Sequence, residues 1–204
     1  MERRINEIWA NMASIIEERS AQDMAQTIPS FKFYADTLLK DLRTAMLLCN
    51  EQALELQRCS EKGESAFITL SFLNSSVLTS AFDLRIDFYD DNFLVDIAAA
   101  CAYFSYKHLV PLCQDSVDAI CQEAKTRFTR FMDYEMDALA RKYRSEVLCN
   151  MTLTMYSHCL LLSDMADFWP QLTVSENCCF TFGRFLSNQQ QICMFPPMGE
   201  AASQ

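Results

Sequence analysis

Glycine is almost missing from this chain. Three occur in 204 residues, Gly63, Gly183 and Gly199, and none has another nearby. That excludes the glycine-rich dinucleotide fingerprint, the phosphate-cradling P-loop and the G-x-S-x-G nucleophile elbow, all of which need clustered glycines. Proline is also scarce, at five residues. With so few breakers there are few tight turns, which favours long helices over a many-stranded sandwich.

Basic charge is short as well. Seventeen Lys and Arg face 27 Asp and Glu, for a net charge of −10. A nucleic-acid binder needs the opposite sign to displace phosphate counterions, and an anionic membrane surface repels such a chain. Long-range steering favours basic partners or cationic ligands. No apolar run is long enough for a bilayer: the stretch from Asn92 to Tyr106 is broken by Asp96 and is too short. The opening MERRINEIWANM is charged and amphipathic, so no secretory leader is expected.

Histidine is limited to His108 and His158, and no Glu-x-x-His occurs. The ten cysteines contain no Cys-x-x-Cys or Cys-x-x-x-x-Cys pair, so zinc, iron–sulfur and thioredoxin-like signatures are absent. The thiols are expected to be reduced, in a cytoplasmic protein, and packed as small hydrophobes. Cys49, Cys59, Cys101 and Cys121 fall on predicted apolar stripes. Cys178 and Cys179, adjacent on a predicted strand, should point to opposite faces, one more exposed than the other. No metal site, cofactor or catalytic residue is assigned.

What the chain does have is helical periodicity. Ile5, Ile8, Trp9, Met12, Ile15 and Ile16 form one stripe, and Pro29 is expected to end or bend that helix. A second helix, capped by Ser30, carries Phe31, Leu38, Leu42, Ala45, Cys49, Leu56 and Cys59, with Gln52 where an apolar residue belongs. Lys62 and Gly63 should close it, the glycine in a left-handed cap. Asp96 is read as the cap of a helix from Ile97 to about Val110. The longest helical pattern runs from Gln114 to Tyr143 without a break, and the basic cluster Arg141, Lys142, Arg144 suits its C-terminus. Within it, Asp137 lies four residues before Arg141, the spacing of a surface ion pair. Ser145 is read as the cap of a further helix.

Between the helices the period changes to two. FITLSFL (67–73) and FDLRIDFY (82–89) alternate, as does the weaker pair CCFTFGRFL and QQICMF. Two hairpins at about 66–89 and 178–195 are predicted to join into one small antiparallel sheet backed by long, mostly antiparallel helices, an α+β fold. Residues 1–195 are taken as a single domain and 196–204 as a flexible tail.

The aspartates of residues 82–93 raise the functional question. Alternation puts Asp83, Arg85 and Asp87 on the solvent face of a half-buried strand, and Asp90 and Asp91 in a turn. The calcium-loop pattern fails, since the central glycine and terminal glutamate are absent. With no convergent catalytic set, the expected function is a soluble intracellular protein-interaction or regulatory module. It would act by burying amphipathic helix faces, as a homodimer or with a protein partner, away from nucleic acid and membrane. Two alternatives stand beside it. One is a small-molecule sensor with an apolar pocket between helices and sheet. The other is a Cys/His/carboxylate enzyme drawing on Asp87, Asp90, Asp91, Cys178 or His158.

Overall fold

The computed structural model describes residues 2–79, 83–98, 100–105, 111, 113–161, 168–186 and 189–195. His108 and the 196–204 tail lie outside the described residues, as do the side chains of His158 and Cys159. Five α-helices are described: α1 (Glu2–Asn11), α2 (Ala13–Arg58), α3 (Asn74–Thr79), α4 (Gln114–Arg127) and α5 (Asp133–Leu161). Five strands accompany them: β1 (Phe67–Phe72), β2 (Asp83–Tyr89), β3 (Ala100–Ser105), β4 (Cys178–Arg184) and β5 (Gln189–Phe195). No helix among the described residues is long and apolar enough to cross a membrane.

The predicted hairpins form and join edge to edge. Strand order is β3-β2-β1-β4-β5, antiparallel throughout except where β1 meets β4 in parallel. Register stacks like with like. Ile68, Leu70 and Phe72 face Phe88, Ile86 and Leu84 on one side and Phe180 and Phe182 on the other. All are buried, and α2 lies over this apolar layer at the β2 and β3 end.

β3 corrects the helix expected from Ile97 to Val110 over Ala100–Ser105, while residues 106–110 lie outside the described residues. Ala100 and Ala102 resemble helix formers, but they pair with Phe88 and Ile86, and their small side chains let α2 approach the sheet. Cys101 and Tyr103 alternate onto the other face. Asp96 therefore caps no helix. Its Oδ1 accepts from the Ala98 N–H at 2.9 Å, holding a turn.

The helix boundaries also shift. α1 and α2 meet at Met12, fully buried, and the stripe Ile5, Ile8, Met12, Ile16 continues across the junction. α2 then runs straight through Pro29 and Ser30 for 46 residues, about 70 Å at 1.5 Å per residue. Proline withdraws one N–H from the Ala25 carbonyl, a local loss of one bond within the helix. Arg58 is the last residue of α2, and Ser60, not Gly63, takes the left-handed conformation (φ 59°). Ser60 N–H donates to the Gln57 carbonyl and Glu61 N–H to the Leu56 carbonyl, a Schellman closure. Gly63 serves instead to let the chain pass Asp90: a Cβ there would sit 3.3 Å from the Asp90 Cβ.

The long pattern from Gln114 divides at Phe128–Met132, where Arg130 has φ 59°. Glu135 opens α5 by accepting from the Met132 N–H at 2.9 Å, as a capping-box glutamate does. α5 continues through Ser145 without a break, so Arg141, Lys142 and Arg144 lie mid-helix and the helix dipole does not explain them.

Candidate functional site

The aspartate-rich segment divides into two closed arrangements. In the first, Asp87 is 1% exposed, which overturns its placement on a wet strand face. Arg85 folds back along the strand and forks it, Nε to Oδ1 at 2.8 Å and Nη2 to the same oxygen at 2.5 Å. Arg85 also donates to the Tyr103 hydroxyl at 3.1 Å, and its guanidinium lies 4.4 Å from the Phe185 ring centroid. Burial raises the Asp87 carboxyl above its ordinary value, and the guanidinium opposes that rise. With its oxygens engaged by Arg85, Asp87 is a poor metal ligand. No group of three or more His, Cys, Asp or Glu among the described residues could hold a metal ion.

The second arrangement locks the loop after β2. Asp90 accepts from the Asn92 N–H at 2.9 Å and from the Gly63 N–H at 3.3 Å, so it is a turn residue as expected. The buried Lys62 ammonium pairs with Asp96 and donates to the Ala98 carbonyl at 3.1 Å. Phe93, at φ 52°, packs against Phe67 and Tyr89 with ring centroids 4.6 and 5.6 Å away. This well-anchored loop carries Val95 and Ile97 into solvent, 78% and 98% exposed. Sequence pattern could not find them, because a short apolar run reads as core until its anchors are known.

Seven of the described thiols are shifted away from activation. Cys178 lies in the core and Cys179 is the more exposed of the two, as alternation predicts, but at 9% it too is buried. Burial pushes Cys178 and Cys113 up to about 12 and Cys193 up to about 11, and raises Cys49, Cys121, Cys149 and Cys179 as well. A nucleophilic thiol needs the reverse shift. Cys49 packs in the core and donates to the Ile86 carbonyl at 3.4 Å, whereas Cys59 is exposed, against expectation.

The remaining candidate is the outer face of α2. Its inner stripe, Leu38, Leu42, Ala45, Cys49 and Ala53, is buried. Its outer stripe is Lys40, Thr44, Leu47, Leu48, Glu51 and Glu55, all exposed, with Leu48 at 47%. Gln52 now has a reason. Its Oε1 accepts from the Cys101 N–H at 2.8 Å, satisfying the free edge of β3 and fixing the helix beside it. No family model matches the chain, and neither a curated protein nor a solved structure matches it significantly.

Proposed function

We propose that this protein is an interaction module that works as a homodimer, joined through the outer face of α2, in a reducing cytoplasm. The observation that carries the reading is the charge order along that face. Set two copies of α2 antiparallel about a twofold axis between Leu47 and Leu48. The two leucine pairs then meet at the centre, Thr44 lies opposite Glu51 of the second copy, and Lys40 lies opposite Glu55. Unlike charges fall together at both ends of the seam, as an isologous contact requires. The same pairing carries Phe33, 80% exposed, toward the end of the other helix where the Val95–Ile97 loop is anchored. The exposed leucines would supply the apolar centre and the charges the register.

Charge reversal tests the pairing directly. Lys40→Glu and Glu55→Lys should each weaken dimerisation, measured by sedimentation equilibrium, because each sets like charges opposite one another. The double reversal should restore most of the loss. If the double variant is no better than the single ones, the antiparallel register is wrong.

A further inference from the structure

We propose that the cleft between α4 and α5 binds a small organic anion, a carboxylate carrying a short apolar body. The cleft holds about 550 Å³. Val117, Met136 and Ala140 supply an apolar wall, with Val77 of α3 beside them. Three cations open onto it: Lys125 from the last turn of α4, and Arg141 and Arg144 from the middle of α5. Because α5 does not end near residue 144, these arginines are not there to complement a helix terminus.

Their pairing is the second observation. Arg144 gives one Nη2 hydrogen bond to Gln114, at 3.0 Å, while its Nε is buried without a partner. No ion pair forms between Asp137 and Arg141, four residues apart, contrary to what the spacing suggested; the ion pairs of the described residues involve neither, and none involves Lys125. Asp118, also on the rim, is turned toward Gln114, which donates to it at 2.9 Å. Asp118 and Asp137 also line the cleft, so three cations outnumber two carboxylates there, and none of the three is ion-paired among the described residues, in a chain whose net charge is −10. Each of these cations has N–H donors left over, and a carboxylate in the cleft would give them a charge-assisted bond. The neighbouring Lys142 does not share this role. It donates to Asn6 at 2.9 Å and lies 4.6 Å from the Trp9 ring centroid, tying α5 to α1.

Octanoate is a suitable probe, titrated into the full chain by isothermal calorimetry with 1-octanol as its uncharged counterpart. The expected result is saturable one-to-one binding of octanoate and binding of octanol weaker by roughly tenfold or more, the ratio one charge-assisted contact supplies. Arg141→Gln and Lys125→Gln alter exposed side chains, so the fold should persist, and each should weaken octanoate several-fold. Arg144→Gln should weaken it as well, and Lys142→Gln should leave it unchanged. Equal binding of octanol and octanoate, octanoate binding indifferent to the arginine substitutions, or no saturable binding would each overturn the proposal.

Discussion

Asp23 is where burial and charge conflict most directly. It lies on α2, 2% exposed, and accepts from Ser116 of α4 at 2.7 Å and Tyr143 of α5 at 2.8 Å. Burial raises its carboxyl above the ordinary 3.8, with the two hydroxyls and Arg19 pulling the other way. The folded chain therefore holds this proton more tightly than the unfolded chain. Its stabilising effect is complete below 3.8 and is lost as pH rises through the raised folded value. Asp23→Asn should be at least as stable as the wild type at pH 7, with a flatter pH dependence, because the amide keeps a polar partner for both hydroxyls without the buried charge. Asp23→Ala should cost about 1–3 kcal/mol in urea unfolding, because Ser116 and Tyr143 then lose their acceptor. Asp90 runs the opposite way. Burial works against its charge, but the backbone N–H groups of Asn92 and Gly63 more than offset this and lower its value. It stabilises above 3.8 and loses that effect as pH falls. Period-two alternation puts Asp87 on a strand and its end puts Asp90 in a turn, as found, but it puts Asp87 on the wet face, where it is not. It could not show that Arg85 would fold over Asp87 and close it from water, because that depends on Tyr103 and Phe185, contributed by β3 and the segment after β4.

At the scale of elements, the signals that failed were local ones overruled by neighbours. Proline, serine and glycine suggested breaks at 29, 30, 63 and 145. Only the end of α2 came close, and there the left-handed residue is Ser60. A non-glycine residue in that conformation costs roughly 1 kcal/mol, so Ser60→Gly should raise stability by up to about that amount. Gly63→Ala should lower it, since the new Cβ would sit 3.3 Å from the Asp90 Cβ, and Asp90 is held in place by the Gly63 and Asn92 N–H groups. Comparing the urea midpoints of the two variants tests the assignment. β3 was illegible because alanines at 100 and 102 carry little strand signal, whereas the large alternating residues of β1 and β2 made those strands plain. Gln52 likewise resembled a flaw in a seam until its bond to the Cys101 N–H appeared. Gln52→Leu should therefore cost about 0.5–1.5 kcal/mol, the net worth of one hydrogen bond, since the bond is exposed and water can take the freed N–H. Hydrogen exchange at Cys101 should rise in the same variant.

For the whole molecule, the sequence was read as an α+β chain with two hairpins backed by long helices, and that architecture is present. Its surface was harder to foresee. Which apolar residues remain outside depends on where α2 settles, and the stripe through Leu47 and Leu48 is exposed because α2 sits beside β3, where Gln52 bonds the Cys101 N–H. A dimer must overcome the repulsion between two chains of net charge −10, so the proposed association should strengthen as salt screens that field, until the Lys40–Glu55 contacts are screened as well. Native mass spectrometry across a concentration series, on wild type and on Leu47→Ser/Leu48→Ser, tests the central claim most directly. The wild type should appear at twice the monomer mass, falling to the monomer in the double variant with its far-UV circular dichroism unchanged. A wild-type chain that stays monomeric at every concentration, or a dimer indifferent to those two leucines, would contradict that claim.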